Sequence, residues 1–257
     1  MYALITGATS GIGKEIAKIL AAIGYDLILV GRRKDRLTYM KKYFANKYHT
    51  DVICFDTDLS SPDKCIELFT NTKNYDIDIV VNSAGFGKVG YLTDTDIKDD
   101  IDMINTNITA LHILTKLFGK RMKAGNIMNI ASIAGYYPGP FMAEYGATKA
   151  YVLKLGVAAN YEFKKQNKPV YVTTVCPGPV KTEFDKVAGS DFAMGAISAR
   201  KCALIAVRGM LNNKPVVVPT LSMNLLSKIA GIIPNDIILP IEYYIQTAKL
   251  NKKNKNN

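Results

Sequence analysis

The chain has 257 residues, 48% of them hydrophobic and 21% charged, with 33 Lys and Arg against 22 Asp and Glu for a formal net charge of +11. That balance excludes a fibrous or disordered chain and supports a sizeable core, in one large α/β domain or two small ones. The basic excess suits anionic ligands, acidic membrane surfaces or nucleic acid; nucleic acid is disfavoured because several lysines lie in the tail KKNKNN and the aromatic residues do not interleave with basic ones.

In chain order, Tyr2 to Thr6 is a short apolar run ending in TGATSGIG, and Lys14 to Ile23 then carry apolar residues at helical spacing. The pattern is strand, glycine turn, helix. Gly7, Gly11 and Gly13 permit a tight turn and aim free N–H groups of a helix N-terminus at a phosphate. Asp26 to Val30 reads as a second, buried strand, followed by GRRKDRL. In a doubly wound sheet the residue past this strand faces the adenosine ribose, where an acidic residue accepts the free 2′-hydroxyl. Here stand Arg32 and Arg33, whose guanidinium forks suit a phosphate, so NADP(H) is expected over NAD(H). Arg33 has a second reading as the start of a solvated helix.

Lys34 to Tyr48 reads as a helix, Asp51 to Phe55 as a third strand, and Ser61 to Thr72 as a helix capped by Ser60 or Ser61. Asp58 and Leu59 end a strand at the carboxyl edge, where ligands bind in such sheets. Ile77 to Val81 is a fourth strand leading into NSAGFG, whose small residues Ala84, Gly85 and Gly87 let a flat group lie against the backbone. Asp99 to Met122 is helix-like, with Asn105 and Asn107 breaking an apolar face. Asn126 to Ala131 is a fifth strand that delivers Ser132, and the chain crosses the Pro138 to Pro140 loop into a helix. Lys168 to Val175 contains a sixth strand, ending in CPGPVKTEF; Thr182 to Leu211 is expected to be helical, and Val216 to Val218 lies in a last short strand. Strand and helix alternate with no internal linker, which predicts a single α/β domain with a doubly wound, mainly parallel sheet and helices on both faces.

Tyr145 and Lys149 stand four apart on the helix after that loop, so they share a face. A phenol beside an ammonium is a proton-transfer pair: tyrosine titrates near ~10, and a cation within ~4 to 6 Å lowers that by ~1 to 3. Four cysteines (Cys54, Cys65, Cys176, Cys202) and two histidines (His49, His112) show no metal-ligand spacing, and no metal site is expected. Free thiols and a start, MYALITGATSG, unlike a secretory signal lead to an expectation of a cytoplasmic protein.

Taken together, TGxxxGxG at Thr6 to Gly13, an NNAG-like element at Asn82 to Gly85, Asn107, Ser132, YxxxK at Tyr145 to Lys149 and PGxxxT at Pro177 to Thr182 resemble the short-chain dehydrogenase/reductase family over roughly Met1 to Pro219. The resemblance implies a Rossmann-type fold and an NADP(H)-dependent oxidoreductase that moves a hydride between nicotinamide and a carbonyl or secondary alcohol. It makes Tyr145 the acid/base, Lys149 the group that lowers its pKa and a ligand of the nicotinamide ribose, Ser132 a hydrogen-bond partner of the substrate oxygen, and Asn107 the holder of a relay water. Hydride addition to a carbonyl develops alkoxide charge, which agrees with that assignment.

The same resemblance assigns cofactor contacts to Gly7, Thr9, Ser10, Gly11, Ile12 and Gly13 of the turn, and to Arg32 and Arg33 at the 2′-phosphate. It adds Asp58 and Leu59 at the adenine, Asn82, Ala84 and Gly85 on the adenosine side, Tyr145 and Lys149, and Pro177, Gly178, Val180 and Thr182, with Thr182 at the carboxamide. Ser83 departs from the usual second asparagine. Residues 1–219 are then the dinucleotide-binding domain with its catalytic site, and 220–257 a hydrophobic, then basic extension of it. Substrate choice is expected in Pro138 to Met142 and Glu183 to Leu211, with Tyr136, Tyr137, Phe141, Phe184, Phe192 and Met194 suggesting an apolar pocket. The extension reads as a subunit contact in a homodimer or homotetramer, a lid for a long apolar substrate, or a peripheral membrane-surface helix. A non-catalytic NADP-sensing regulator is the alternative from another functional class.

Overall fold

The computed structural model describes residues 1–184, 188, 195–230 and 232–255. Its strands are β1 (Tyr2–Thr6), β2 (Asp26–Gly31), β3 (Val52–Asp56), β4 (Ile77–Asn82), β5 (Gly125–Ile130), β6 (Val170–Val175), β7 (Val180–Lys181), β8 (Ile197–Ser198) and β9 (Val216–Val217). Seven of them form one sheet in the order β3-β2-β1-β4-β5-β6-β9, and each neighbouring pair is parallel. The helices are α1 (Gly11–Ala22), α2 (Lys34–Tyr48), α3 (Pro62–Asn71), α4 (Ile97–Ile104), α5 (Leu111–Arg121), α6 (Ala143–Lys165), α7 (Ala199–Leu211), α8 (Leu221–Ile229) and α9 (Asn235–Lys255).

The apolar strand runs are explained by burial on both faces. Along β1, Ala3 and Ile5 enter one core with Ile16 and Leu20 of α1, Leu37 and Phe44 of α2, and Ala203 and Met210 of α7. Leu4, between them, enters the opposite core with Leu68 of α3, Phe118 of α5 and Phe163 of α6. The doubly wound architecture read from the alternation of elements is therefore the one observed.

Three local readings change. The expected helix over Asp99 to Met122 is interrupted by a π-helical turn, Asn105–Ala110, in which Asn107 is buried. The expected helix from Thr182 onward starts at Ala199; before it, β7 and β8 pair as a separate two-stranded sheet, because Val180 and Lys181 run parallel to Ile197 and Ser198. Ser61 occupies the N-cap of α3 without a side-chain capping bond.

Helix α6 must lie close to β6 for its N-terminal end to reach the carboxyl edge. Gly156 makes that possible, since a Cβ there would collide with the Thr174 Oγ1 of β6. Gly156→Val should lower stability by about 1–3 kcal/mol through overpacking, read as a lower urea midpoint with an unchanged slope; an unchanged midpoint would mean that the helix can retreat from the sheet at no cost.

Candidate active site

The parallel strands all present their carboxyl ends on one edge, and a cavity of about 650 Å³ lies along it, within the size range of cofactor and small-molecule sites. Its floor starts at the turn after β1. Gly7 has φ +64°, and a Cβ on it would sit 2.8 Å from the Ala84 backbone N, so only glycine keeps this turn against the end of β4. The Thr6 hydroxyl accepts from the backbone N–H groups of Ser83 (3.0 Å) and Ala84 (3.1 Å), which ties the two strand ends together. The turn delivers Thr9, Ser10, Gly11 and Ile12 to the cavity, and α1 begins at Gly11 with its N–H groups free for an anion.

Around the turn, the structure gathers Arg32, Arg33, Asp58 and Leu59 on one side and Ala84, Gly85, Pro177, Gly178, Val180 and Thr182 on the other. Arg32 is exposed and, among the described residues, makes no hydrogen bond. Burial works to raise the Asp58 carboxyl, but hydrogen bonds from Ser60 N and Oγ and the Arg32 charge outweigh it, holding it below the usual carboxylate range. Bare glycine backbone, a helix N-terminus and an unpaired guanidinium fit a phosphorylated dinucleotide.

At the other end, Ser132 follows β5, and its Oγ accepts from Ala134 N at 3.2 Å. Tyr145 and Lys149 enter from α6 and line the same cavity. Lys149 is 5% exposed; its Nζ donates to the Ile130 carbonyl at 2.9 Å and stands 5.6 Å from the centre of the Tyr145 ring. The expected lowering of the Tyr145 pKa by Lys149 is not found in the protein's own electrostatics. Burial pushes the phenol up to about 12, opposed by the Ser132 hydroxyl, and pushes the ammonium down to about 8. Both groups lose hydration, and the charged form of each bears the cost.

Three expected site residues lie outside the cavity lining. Asn82 is 2% exposed and turns into the core, where its Nδ2 donates to Asn129 Oδ1 (2.8 Å) and Thr115 Oγ1 (3.1 Å); Ser83, Ala84 and Gly85 line the cavity instead. The Asn107 side chain is also committed: Oδ1 accepts from Phe86 N (3.1 Å), and Nδ2 donates to Phe86 O (2.9 Å) and Thr148 Oγ1 (3.0 Å). It thereby positions the loop after β4 against α6. Gly13 packs beneath the turn, where a Cβ would meet the Gly7 carbonyl at 2.6 Å.

Of the residues expected to shape the substrate end, Tyr137, Met142 and Phe184 line the cavity. Tyr136 packs into a core cluster with Val152 and Cys176, and Phe141 lies between Tyr91 and Tyr243 in tilted ring contacts and lines a smaller cavity. Phe192 and Met194 lie outside the described residues. The last helices, for which a lid was one of three readings, supply a wall whose residues sequence reasoning did not name: Met223 and Leu226 of α8 and Glu242, Ile245 and Gln246 of α9. The period-four spacing of Glu242 and Gln246 was the available signal, but nothing local says where that helix docks. Gln246 is 8% exposed, and its Oε1 is buried with no protein partner.

The depressed Lys149 pKa predicts a pH signature. The unfolded lysine titrates near ~10.5 and the folded one at about 8, so between these values the unfolded state binds more protons and stability rises with pH. The penalty is full below pH ~8 and gone above ~10.5. In Lys149→Met, the stability difference from the parent should therefore move against the variant by up to about 3 kcal/mol across that window; a difference independent of pH between denaturation curves would contradict the buried-ammonium account.

A family model for short chain dehydrogenases matches residues 1–192. The chain is 31% identical to the 7beta-hydroxysteroid dehydrogenase of Mediterraneibacter gnavus over 178 residues, 68% of this chain and 67% of the relative. Among solved structures, it is similar to a short-chain dehydrogenase from Sphingobium yanoikuyae in complex with NADPH, with a TM-score of 0.80 and 31% identity over 86% of this chain and 88% of the other. The bulky-bulky ketone specific alcohol dehydrogenase of Comamonas testosteroni gives a TM-score of 0.77 and 28% identity, over 88% and 90% of the two chains. With the family model spanning the glycine turn, Ser132 and the Tyr145 helix alike, the chain belongs to the short-chain dehydrogenase/reductase family, oxidoreductases acting on CH–OH or C=O groups.

Proposed function

We propose that the chain is an NADP(H)-dependent oxidoreductase for a bulky, largely apolar ketone or secondary alcohol, with Tyr145 as its acid/base. The observation that carries this reading is that Tyr145, Ser132 and Lys149 share one cavity with the glycine turn and the unpaired Arg32. A nicotinamide cofactor, held by the glycine turn and Arg32, would supply the hydride chemistry; the chain's own residues handle binding, orientation and the proton. Ser132 Oγ donates to the substrate oxygen, and the Tyr145 hydroxyl gives it a proton as alkoxide charge develops.

A phenol held at about 12 is a firmly protonated donor for reduction. Oxidation needs the phenolate, and the Lys149 ammonium, a few ångströms from the ring, is the group that stabilises it as the charge forms. Asn107 acts as a positioning residue, through Phe86 and Thr148, and Thr182 holds the carboxamide end. The apolar side chains of Met142, Phe184, Met223, Leu226 and Ile245 favour a substrate of steroid or bulky-ketone size. The named activities of the Mediterraneibacter and Comamonas proteins support that class.

Tyr145→Phe removes only the transferable proton, so turnover of a bulky ketone, followed as loss of NADPH absorbance, should fall by about 10²- to 10⁴-fold while NADPH affinity stays within about twofold. Retained turnover would sink the acid/base assignment. The parent enzyme should also show a lower KM for NADPH than for NADH, and Arg32→Ala should erase most of that difference by raising the NADPH value alone; equal efficiency with both cofactors, unchanged in Arg32→Ala, would remove the 2′-phosphate reading.

A further inference from the structure

The anion seat at the adenosine end of the cavity already holds an anion belonging to the protein. Arg33, the residue before α2, lies over the glycine turn: its Nε donates to Thr9 Oγ1 at 3.2 Å, and its Nη2 to Thr9 Oγ1 and to Ser10 Oγ, both at 2.9 Å. Its Nη1 donates to Glu183 Oε2 at 2.8 Å. One turn into α2, Arg36 Nη1 reaches both oxygens of the same carboxylate, at 2.7 Å to Oε1 and 3.0 Å to Oε2. Glu183 comes from the far side of the cavity. It follows Thr182, whose Cγ2 lies 3.3 Å from where a Gly11 Cβ would be, so this segment passes over the start of α1. Two guanidinium groups thus converge on one carboxylate, and the Thr9 and Ser10 hydroxyls, accepting from Arg33, hold its fork over the turn; paired guanidinium forks equally suit the oxygens of a phosphate monoester.

We propose that Glu183 sets cofactor discrimination: its carboxylate occupies the place a ribose 2′-phosphate takes, so NADP(H) must displace it and NAD(H) need not. The inference rests on the reading that the 2′-phosphate lies among Arg32, Arg33, Thr9 and Ser10. A phosphate brings more charge and more acceptor oxygens than a carboxylate, and Arg32 adds a third guanidinium, so the exchange favours NADP(H). The preference is nevertheless smaller than three arginines would give without a competing carboxylate. NAD(H) presents a neutral hydroxyl to the same seat and leaves the Arg33–Glu183–Arg36 clasp closed. The ion pairs are about two-fifths exposed on both sides, so the clasp is loose enough to open on binding.

The experiment is calorimetric binding, independent of turnover. NADP⁺, NAD⁺, adenosine 2′,5′-bisphosphate and AMP are titrated into the parent protein, Glu183→Gln and Glu183→Ala, with thermal melts to verify that each variant is folded. Both variants should bind NADP⁺ and the bisphosphate about fivefold more tightly or better, and NAD⁺ and AMP within about twofold of the parent. Unchanged NADP⁺ affinity overturns the proposal, as does an equal gain for NAD⁺, which would place the carboxylate against a group that both cofactors share. Weaker NAD⁺ binding with NADP⁺ unchanged also overturns it, since Glu183 would then be accepting from the ribose hydroxyl. If the bisphosphate binds no better than AMP in the parent and in both variants, the 2′-phosphate reading itself falls, a result distinct from a bisphosphate preference that ignores Glu183.

Discussion

Parallel pairing is the constraint on which the molecule depends. Each parallel neighbour needs a crossover, and the crossovers here place α1, α2 and α7 over one face of the sheet and α3, α5 and α6 over the other. Every strand's carboxyl end then opens on the same edge, and the chain's chemically capable loops collect there. Thr6 fastens the centre of that edge. Its hydroxyl accepts two N–H groups from the loop after β4 and donates to Val81 O, so the glycine turn and the Ser83 to Gly85 loop are set against each other.

The Tyr145 and Lys149 end of the cavity works against the protein's stability. A lysine ammonium at 5% exposure with one carbonyl partner, and a phenol beside it, are each driven by burial toward their neutral forms. Hydrophobic residues of similar size would cost less. What the arrangement provides is a phenol and an amine held 5.6 Å apart, ring centre to Nζ, with burial setting the resting charge state of each. The protein alone holds the pair in its resting direction, with the proton on the phenol. At the Arg33 end a single carboxylate, Glu183, pairs with two guanidinium groups, Arg33 and Arg36.

The C-terminal helices complete the site. Residues of α8 and α9 form part of the cavity wall, while Leu221, Leu225 and Tyr244 on the same helices are exposed. One run of sequence thus carries two apolar surfaces, an inner one facing the cavity and an outer one facing solvent. Its burial pattern is not periodic enough to separate them by reading, which is why the extension had three competing sequence interpretations. Among the described residues, no helix is long and apolar enough to cross a membrane.

What the sequence determined by itself is whatever depends on local chemistry. Continuous apolar runs named the six long strands to within a residue or two, because strands buried on both faces admit little else. The glycine turn was legible because Gly7 needs a backbone conformation that side chains resist, and the Tyr145 and Lys149 pairing because helical spacing alone puts them on one face. What only the tertiary structure decided is whatever depends on which way a side chain turns, or on contacts between distant segments. Asn82 was expected at the cofactor and Asn107 at a relay water; their side-chain bonds go to Asn129, Thr115, Phe86 and Thr148, partners far along the chain. Glu183 stands about 150 residues from the two arginines it pairs with, and Glu242 and Gln246 reach the cavity only because α9 docks there. The direction of the Tyr145 and Lys149 pKa shifts belongs to the same class: spacing reveals that two groups are neighbours, but desolvation is a property of everything packed around them.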